Sequence, residues 1–371
     1  MNTLLRRLPV KPLIPSFRSF VSKPFCSVVD NASTFVSKDE IFRKGEKLIV
    51  RSLKEVESFY SVKVDSACDF TAVKLDNQVF SGTRYVNVCK GLVCLWKPDD
   101  EGEDDIFLWN PTTTEVKKLP RTDNMLIPCR LFGSSVIGFG YDQVSDDYKV
   151  MRTSDSQLAG IMVSVYNLKN NLWTRADTIP ISISLYGSFG LFANGCLHWL
   201  SGSNESIIAF DLGVHKHRKL PFPAGIRKKN GKALFVFNRC LGLIDHRPDS
   251  LTEMWVMNNN GVEASWSKLL SVEQPGILGS FDFVYPVAFS KDQNEILLVV
   301  DNNKLVWYDR ETNNVKNIEL HGFPESFDLL VCNESLVQIS DSELDTKQTE
   351  EEKIKQKENT FKEYLATIGY S

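Results

Sequence analysis

The chain has no uninterrupted apolar run of 18 residues, so no segment reads as a membrane-spanning helix. Residues 1–29 lack the continuous apolar core of a secretory signal, and the Asn-x-Ser triplets at Asn31, Asn204 and Asn333 therefore carry no weight. There is no CxxC pair and no Cys/His spacing of a zinc site. The eight cysteines, at 26, 68, 89, 94, 129, 196, 240 and 332, sit mostly inside apolar runs such as Val93-Cys94-Leu95 and Arg239-Cys240-Leu241. They are expected to act as small buried hydrophobes in a reducing compartment. No nucleophile elbow, HExxH, P-loop or GxGxxG phrase appears. A net charge of −4 gives no general pull toward nucleic acid, and no RRM, zinc-finger or helix-turn-helix pattern is visible.

What is present is a phrase that returns in altered form. Residues 106–120 read IFLWNPTTTEVKKLP: an apolar run meets an aromatic, then a turn, then a polar stretch ending in Leu119-Pro120. Related phrases occupy 163–180, 207–223, 254–269 and 305–320. Aligning Asn110, Asn167, Asp211, Met257 and Asp309 gives spacings of 57, 44, 46 and 52 residues. Between these phrases lie apolar segments at 136–142, 189–200, 233–245, 285–300 and 329–340. Asn194-Gly195, Asp292-Gln293-Asn294 and Asn333-Glu334 within them suit tight hairpins, because Asn and Gly tolerate positive φ. Earlier strands are expected at 48–51, 59–64 and 91–96. Four strands in about 45 residues is the arithmetic of a propeller blade, and residues 45–340 leave room for six or seven. A β-sandwich is the competing architecture; the spacing favours blades. Stacked blades bury both faces of each sheet, so Trp109, Trp173, Trp199, Trp255, Trp266 and Trp307 are expected to pack between blades rather than against a ligand.

The polar clusters read as structural. His215 and His217 form an HxH in a polar turn without further metal ligands in view; His198 alternates with Leu197 and Trp199 as a packed strand residue. Asp142, Asp146 and Asp147 have ligand-like spacing but fit an Asp-rich turn. The acidic stretch 98–105 is an insertion between two strands, either a solvated loop or a contact for a basic partner. Residues 341–371 turn charged and lose proline; Glu351 and Lys355 stand at i,i+4, and Ile354, Phe361, Leu365 and Ile368 share one helical face. This predicts a C-terminal helix that docks on the body or binds a partner.

Together the phrases resemble the plant F-box proteins with a kelch-like, F-box-associated domain. Gly91-Leu92-Val93-Cys94-Leu95 with Leu108-Trp109-Asn110-Pro111-Thr112-Thr113, Gly138-Phe139-Gly140-Tyr141-Asp142 with Asp147-Tyr148-Lys149-Val150, Asn194-Gly195 with Leu197-His198-Trp199-Leu200, Ile208-Ala209-Phe210-Asp211-Leu212, and Glu253-Met254-Trp255-Val256-Met257 with Ser265-Trp266-Ser267-Lys268 follow the family's order. The resemblance implies a mainly β, kelch-like propeller over 45–340, a partial helical F-box over 1–40 and the charged tail. The F-box resemblance rests on Leu4-Leu5-Arg6-Arg7-Leu8-Pro9-Val10-Lys11, Phe17-Arg18-Ser19 and Val21-Ser22-Lys23-Pro24-Phe25-Cys26-Ser27. The motif's first helix has no counterpart, and Pro15 interrupts a helix that the family keeps continuous.

The implied function is that of a non-catalytic substrate-receptor subunit of an SCF-type cullin ubiquitin ligase. Leu4, Leu5, Leu8, Pro9, Val10, Leu13, Phe17, Val21 and Phe25 would bind the adaptor and through it the cullin, and the propeller would hold an unknown target protein. No cofactor, nucleic acid or membrane partner is expected. The shortened motif would weaken the adaptor contact, at roughly 1–2 kcal/mol per lost anchor. The alternatives are a propeller interaction module that no longer recruits a ligase, and a propeller enzyme such as a glycan oxidase or lactonase. Expected localisation is cytoplasm or nucleus. The basic, acid-free residues 1–29 also fit a mitochondrial presequence.

Overall fold

In the computed structural model the described residues run from 45 to 339, apart from 55–57, 76–79, 81, 98–103, 122–135, 157–159, 177–188, 202–204, 227–230, 248–250 and 260–264. The expected F-box (1–40) and the C-terminal helix (341–371) lie outside them.

The described chain forms six sheets and is a six-bladed β-propeller. Blade 2 holds β4(Arg84–Cys89), β5(Leu92–Lys97), β6(Asp105–Trp109) and β7(Val116–Lys118), from the axis outward. Blade 3 holds β8(Ile137–Asp142), β9(Asp147–Ser156), β10(Gly160–Asn167) and β11(Leu172–Ala176). Blade 4 holds β12(Leu191–Ala193), β13(Cys196–Leu200), β14(Ile207–Asp211) and β15(His217–Leu220). Blade 5 follows with β16(Gly231–Phe237), β17(Cys240–His246), β18(Leu251–Asn259) and β19(Ser265–Glu273). Blade 6 has β20(Val284–Phe289), β21(Glu295–Val300), β22(Lys304–Asp309) and β23(Val315–Asn317). Blade 1 is assembled from both ends of the domain. Its inner strand is β25(Phe327–Asn333), followed outward by β1(Glu46–Ser52), β2(Phe59–Ser66), β3(Asp69–Leu75) and β24(Glu319–His321). The inner strands β25, β4, β8, β12, β16 and β20 neighbour one another in a closed ring.

Side-chain alternation explains why the middle strands read as unbroken apolar runs. On β5, Leu92, Cys94 and Trp96 face blade 3 while Val93 and Leu95 face blade 1. On β21, Ile296, Leu298 and Val300 face blade 5, and Leu297 and Val299 face blade 1. With a sheet buried on both faces, period two sends apolar residues both ways. The six apolar clusters accordingly occupy the six blade interfaces. Burial stabilises each fully covered aliphatic by about 1.5–3 kcal/mol. Blades 3 and 4 approach so closely that a Cβ on Gly140 would stand 2.1 Å from Phe192, and one on Gly138 2.5 Å from Leu197.

The recurring phrase encodes the hairpin between the third and fourth strands of a blade. Oδ1 of Asn110 accepts the Thr112 and Thr113 amides at 2.9 and 3.4 Å; Asp211 accepts Gly213 and Val214 at 2.8 and 3.1 Å; Asp309 accepts Glu311 and Thr312 at 2.9 and 3.0 Å. Four residues on, the chain turns left-handed at Thr114 (φ 62°), Asn171 (49°), His215 (57°) and Asn313 (56°). The aromatic before the Asx position braces that residue. Tyr166 and Tyr308 donate to Asn171 and Asn313 at 2.7 and 2.6 Å, and Phe210 stacks on His215.

Of the six tryptophans expected to pack between blades, five sit at blade interfaces. Trp109 and Trp199 are buried there. The indole N–H of Trp173 donates to Pro120 O, that of Trp266 to Pro221 O and that of Trp307 to Ala67 O, each in an adjoining blade, at 2.7, 3.1 and 2.8 Å. Trp255 differs: it is half-buried, with Lys268 of its own blade 5.1 Å from the ring. Cys89, Cys94, Cys196, Cys240 and Cys332 are buried as expected, whereas Cys68 is exposed in the β2–β3 turn. The hairpin expected at Asn333-Glu334 is not formed. β25 ends at Asn333, and residues 334–339 run on across blade 2, because Gly45 O and the blade 2 turns take their hydrogen bonds.

Candidate interaction surfaces

The ring has two unlike ends. At one, strands one to two and three to four are joined by tight turns: 90–91, 194–195 and 238–239 are two residues each. Lys90-Gly91, Asn194-Gly195 and Asn238-Arg239 place both residues at positive φ, the geometry of type I′ hairpins. At the other end the outer strand of each blade finishes and the inner strand of the next begins, as with β7 and β8. β1 starts and β25 finishes at the tight-turn end, so both ends of the domain leave there.

Three fastenings hold the closure. β25 pairs with β1 over seven residues, Glu46↔Asn333 to Ser52↔Phe327. The outer strand of blade 6 crosses to blade 1, where β24 runs parallel to β3. The third is a strap, residues 334–339, laid over blade 2. Asn110 Nδ2 donates to Ser335 O and Val337 O at 3.1 and 2.9 Å, Ser335 N donates to Thr112 Oγ1 at 3.2 Å, and Ile339 N donates to Glu115 Oε2 at 3.3 Å. Ile339 is buried between blades 2 and 3.

The Asp-rich turn on the same end forms a buried clamp. Lys149 Nζ donates to Asp142 Oδ2 at 2.8 Å and to Leu212 O of blade 4 at 2.9 Å, with both charged side chains 6% exposed. Burial alone would raise the Asp142 carboxyl, but donation from Lys149, Ser145 and Val144 outweighs it and brings the group down to about 2. Asp146 accepts from Tyr141, whose hydroxyl is raised to about 12 chiefly by that bond, and Asp147 Oδ1 accepts the Lys169 amide at 3.1 Å. These three aspartates therefore serve the turn and the blade contact. His198, 5% exposed, donates from Nδ1 to Leu191 O at 3.2 Å, and burial lowers it to about 4. His217 is exposed on β15.

The crossover end is lined by paired cations and aromatics at the mouth of the ring. Arg51 is ion-paired to Asp328, and its guanidinium lies 5.8 Å from the Tyr85 ring. Tyr285 Oη accepts the Leu329 amide at 3.3 Å. Burial pushes the Tyr85 and Tyr285 hydroxyls up, so both remain protonated donors. Arg84 lies 5.5 Å from the Trp96 ring, which meets Phe189 at 5.6 Å. Further round, His246 faces Phe283 at 6.4 Å and Lys232 lies 5.4 Å from the Phe222 ring. Trp96 Nε1 and Arg51 Nε find no acceptor among the described residues. Of the acidic stretch, Asp104 bonds Arg152 of blade 3 at 3.2 Å, and Asp105 binds Lys118 and Arg121 at 2.6 and 3.4 Å. These two acids brace neighbouring elements; residues 98–103 lie outside the described part.

Sequence reasoning placed none of this rim. Arg51, Arg84 and Tyr85 sit in ordinary strands, and their convergence depends on blade 1 drawing strands from both ends of the domain. The residues assigned to adaptor binding, Leu4 to Phe25, lie outside the described residues, and so does the set of longest crossovers. No group of three or more His, Cys, Asp or Glu suited to a metal occurs among the described residues.

Residues 49–339 match the F-box associated beta propeller domain family. F-box protein CPR1 of Arabidopsis thaliana is 28% identical over 91% of this chain and 87% of its own length. A second F-box protein and an F-box/kelch-repeat protein, both also from Arabidopsis thaliana, are 27% and 26% identical, covering 84% and 91% of this chain and 83% and 93% of their own lengths. The ordered phrases, the six blades and a match spanning nearly the whole ring lead to one conclusion: this chain belongs to the F-box associated β-propeller family.

Proposed function

We propose that the protein is the substrate-receptor subunit of an SCF-type cullin ubiquitin ligase, and that its target binds the crossover end of the propeller. The observation that carries the second half is topological. Both described ends of the domain, at residues 45 and 339, lie at the tight-turn end, so the chain toward the segment resembling an F-box departs from that end. The opposite end is where the strands run into the connections between blades, the kind of segment that concentrates binding residues on rigid scaffolds. It also carries Arg84, Trp96, Arg51 and Tyr85, residue types that dominate interface anchors. The receptor contributes no nucleophile or base. It holds a target lysine near a ubiquitin-charged enzyme and so raises the effective concentration.

Within this reading Leu4, Leu5, Leu8, Pro9, Val10, Leu13, Phe17, Val21 and Phe25 form the adaptor contact. Binding of the full chain to the purified adaptor, beside an intact F-box protein as control, tests that half. Absence of binding leaves the propeller as an interaction module without a ligase. Proteins captured by the wild-type chain and then lost with Arg84→Glu/Trp96→Ala, while adaptor binding persists, are the expected targets. Full retention of those proteins by this variant, with loss on changing tight-turn residues instead, would reverse the assignment of ends.

A further inference from the structure

The strap along residues 334–339 has a direction. It leaves β25 in blade 1, passes Gly91, Asn110 and Thr112 of blade 2, and ends with Ile339 wedged between blades 2 and 3. The next tight turns along that path are 143–146 of blade 3 and 212–216 of blade 4. These turns touch each other: Lys149 of blade 3 reaches Leu212 O, and a Cβ on Gly213 would lie 3.1 Å from Asp142 Oδ1. Each presents a large apolar side chain at its tip. Val144 is 92% exposed and Val214 65% exposed, whereas few other large hydrophobics among the described residues are exposed. Beside them stand the exposed basic residues Lys216 and Arg218, together with Lys169, which is ion-paired to Asp146 of its own blade at 3.1 Å.

The 32 residues after Ile339 have the complementary character. Residues 341–352 contain Asp341, Glu343, Asp345, Glu350, Glu351 and Glu352 against one cation, Lys347. Beyond them Ile354, Phe361, Leu365 and Ile368 share one helical face. A helix over 351–368 would be roughly 27 Å long, enough to lie across two neighbouring turn tips.

We infer that the C-terminal segment 340–371 docks in cis on the tight-turn end, over blades 3 and 4. Its acidic stretch lies against Lys169, Lys216 and Arg218, and its apolar stripe covers Val144 and Val214. The buried Ile339 anchor delivers the segment to this surface, which lowers the entropy of the encounter. This docking is independent of adaptor binding, and it covers the end of the ring opposite the target.

Photo-crosslinking of the full chain with benzoylphenylalanine at position 214 tests it, using an equal mixture of light and heavy isotope-labelled protein. Crosslinks to peptides within 350–371 of the same chain are expected. Crosslinks between light and heavy chains, crosslinks to residues 1–44, or no crosslinks would each overturn the inference. The variant Val144→Glu/Val214→Glu alters only exposed tips, and its circular dichroism should match the wild type. Trypsin should cut after Lys353, Lys355 and Lys357 about tenfold faster in this variant, since the docked segment is protected. Equal rates would refute the docking.

Discussion

Replacing Lys149 with methionine removes one half of a buried pair. At 2.8 Å the Lys149–Asp142 attraction is roughly 6 kcal/mol for an effective dielectric of about 20. Desolvation of both groups offsets most of this, so the pair as a whole contributes little. Breaking it from one side is different. Asp142 would stay buried with a charge met only by Ser145 and the Val144 amide, and Leu212 O would lose its donor. Such a break costs about 3–5 kcal/mol. The three surviving bonds to Asp142, from the Val144 and Ser145 amides and the Ser145 hydroxyl, put the expected value near the lower limit, about 3 kcal/mol. Removing both charges with Asp142→Asn/Lys149→Met should cost less than half as much. Urea unfolding followed by tryptophan fluorescence measures both variants. Acid supplies a second readout. The Asp142 carboxyl is lowered in the fold from 3.8 to about 2, so its contribution is full above pH 4 and fades as pH falls from about 4 toward 2. Lys149→Met should lose that acid dependence, since protonating Asp142 then relieves an unpaired charge. A cost below about 1 kcal/mol, or an unchanged acid limb, would refute the account of the blade 3–blade 4 clamp.

Two other perturbations probe the ring. His198 stays neutral in the fold to about pH 4, whereas an unfolded histidine protonates near 6.5; the unfolded chain therefore binds the extra proton between those values. Wild type should lose about 2 kcal/mol between pH 7 and pH 5, and His198→Gln should flatten that slope; an unaltered slope would dismiss the mechanism. Asn110→Ala removes two donors to the strap and the cap of its own turn, and should cost about 2–3 kcal/mol. Asn110→Asp preserves the cap but sets a carboxylate against the Ser335 and Val337 carbonyls. Hydrogen exchange at residues 334–339 should rise in both variants; protection retained in Asn110→Asp would show that the amide does not hold the strap.

The blades were legible because two simple periodicities coincide in them. Alternation at two residues, buried on both faces, gives runs such as Ile296–Val300. The Asx residue with a left-handed residue four places later gives the longer repeat. Blade number was not legible: insertions such as 121–135 stretch the spacing to 57 residues, and blade 1 contains no complete phrase because its strands come from 46–75 and 319–333. The strap was misread as a hairpin for a related reason. Asn333-Glu334 has turn chemistry, but the partner that captures the following residues is Asn110, more than 220 positions away, and no local pattern announces it. Trp255 was assigned to an interface from residue type alone, whereas the register sets it against Lys268 of its own blade.

The divergence within the repeat has a physical logic. At the turn position Asp211 and Asp309 need only accept amides, and a carboxylate does that well. Asn110 caps its turn in the same way with Oδ1, yet it also carries an amide nitrogen, which an aspartate lacks. That nitrogen is spent on the strap, and blade 2 is the blade beside which β25 ends. Asn167 carries the same amide but directs it to Thr174 Oγ1 of its own blade at 3.4 Å, so among the described turns it is that of blade 2 that also secures the chain end. The same location bears on function. Entering at the second strand of blade 1, rather than at its first, puts both ends of the domain at the tight-turn end instead of the crossover end. The strap and the point where the chain enters then share the tight-turn end, while the β1–β25 pairing runs on to the opposite mouth, where Arg51 pairs with Asp328.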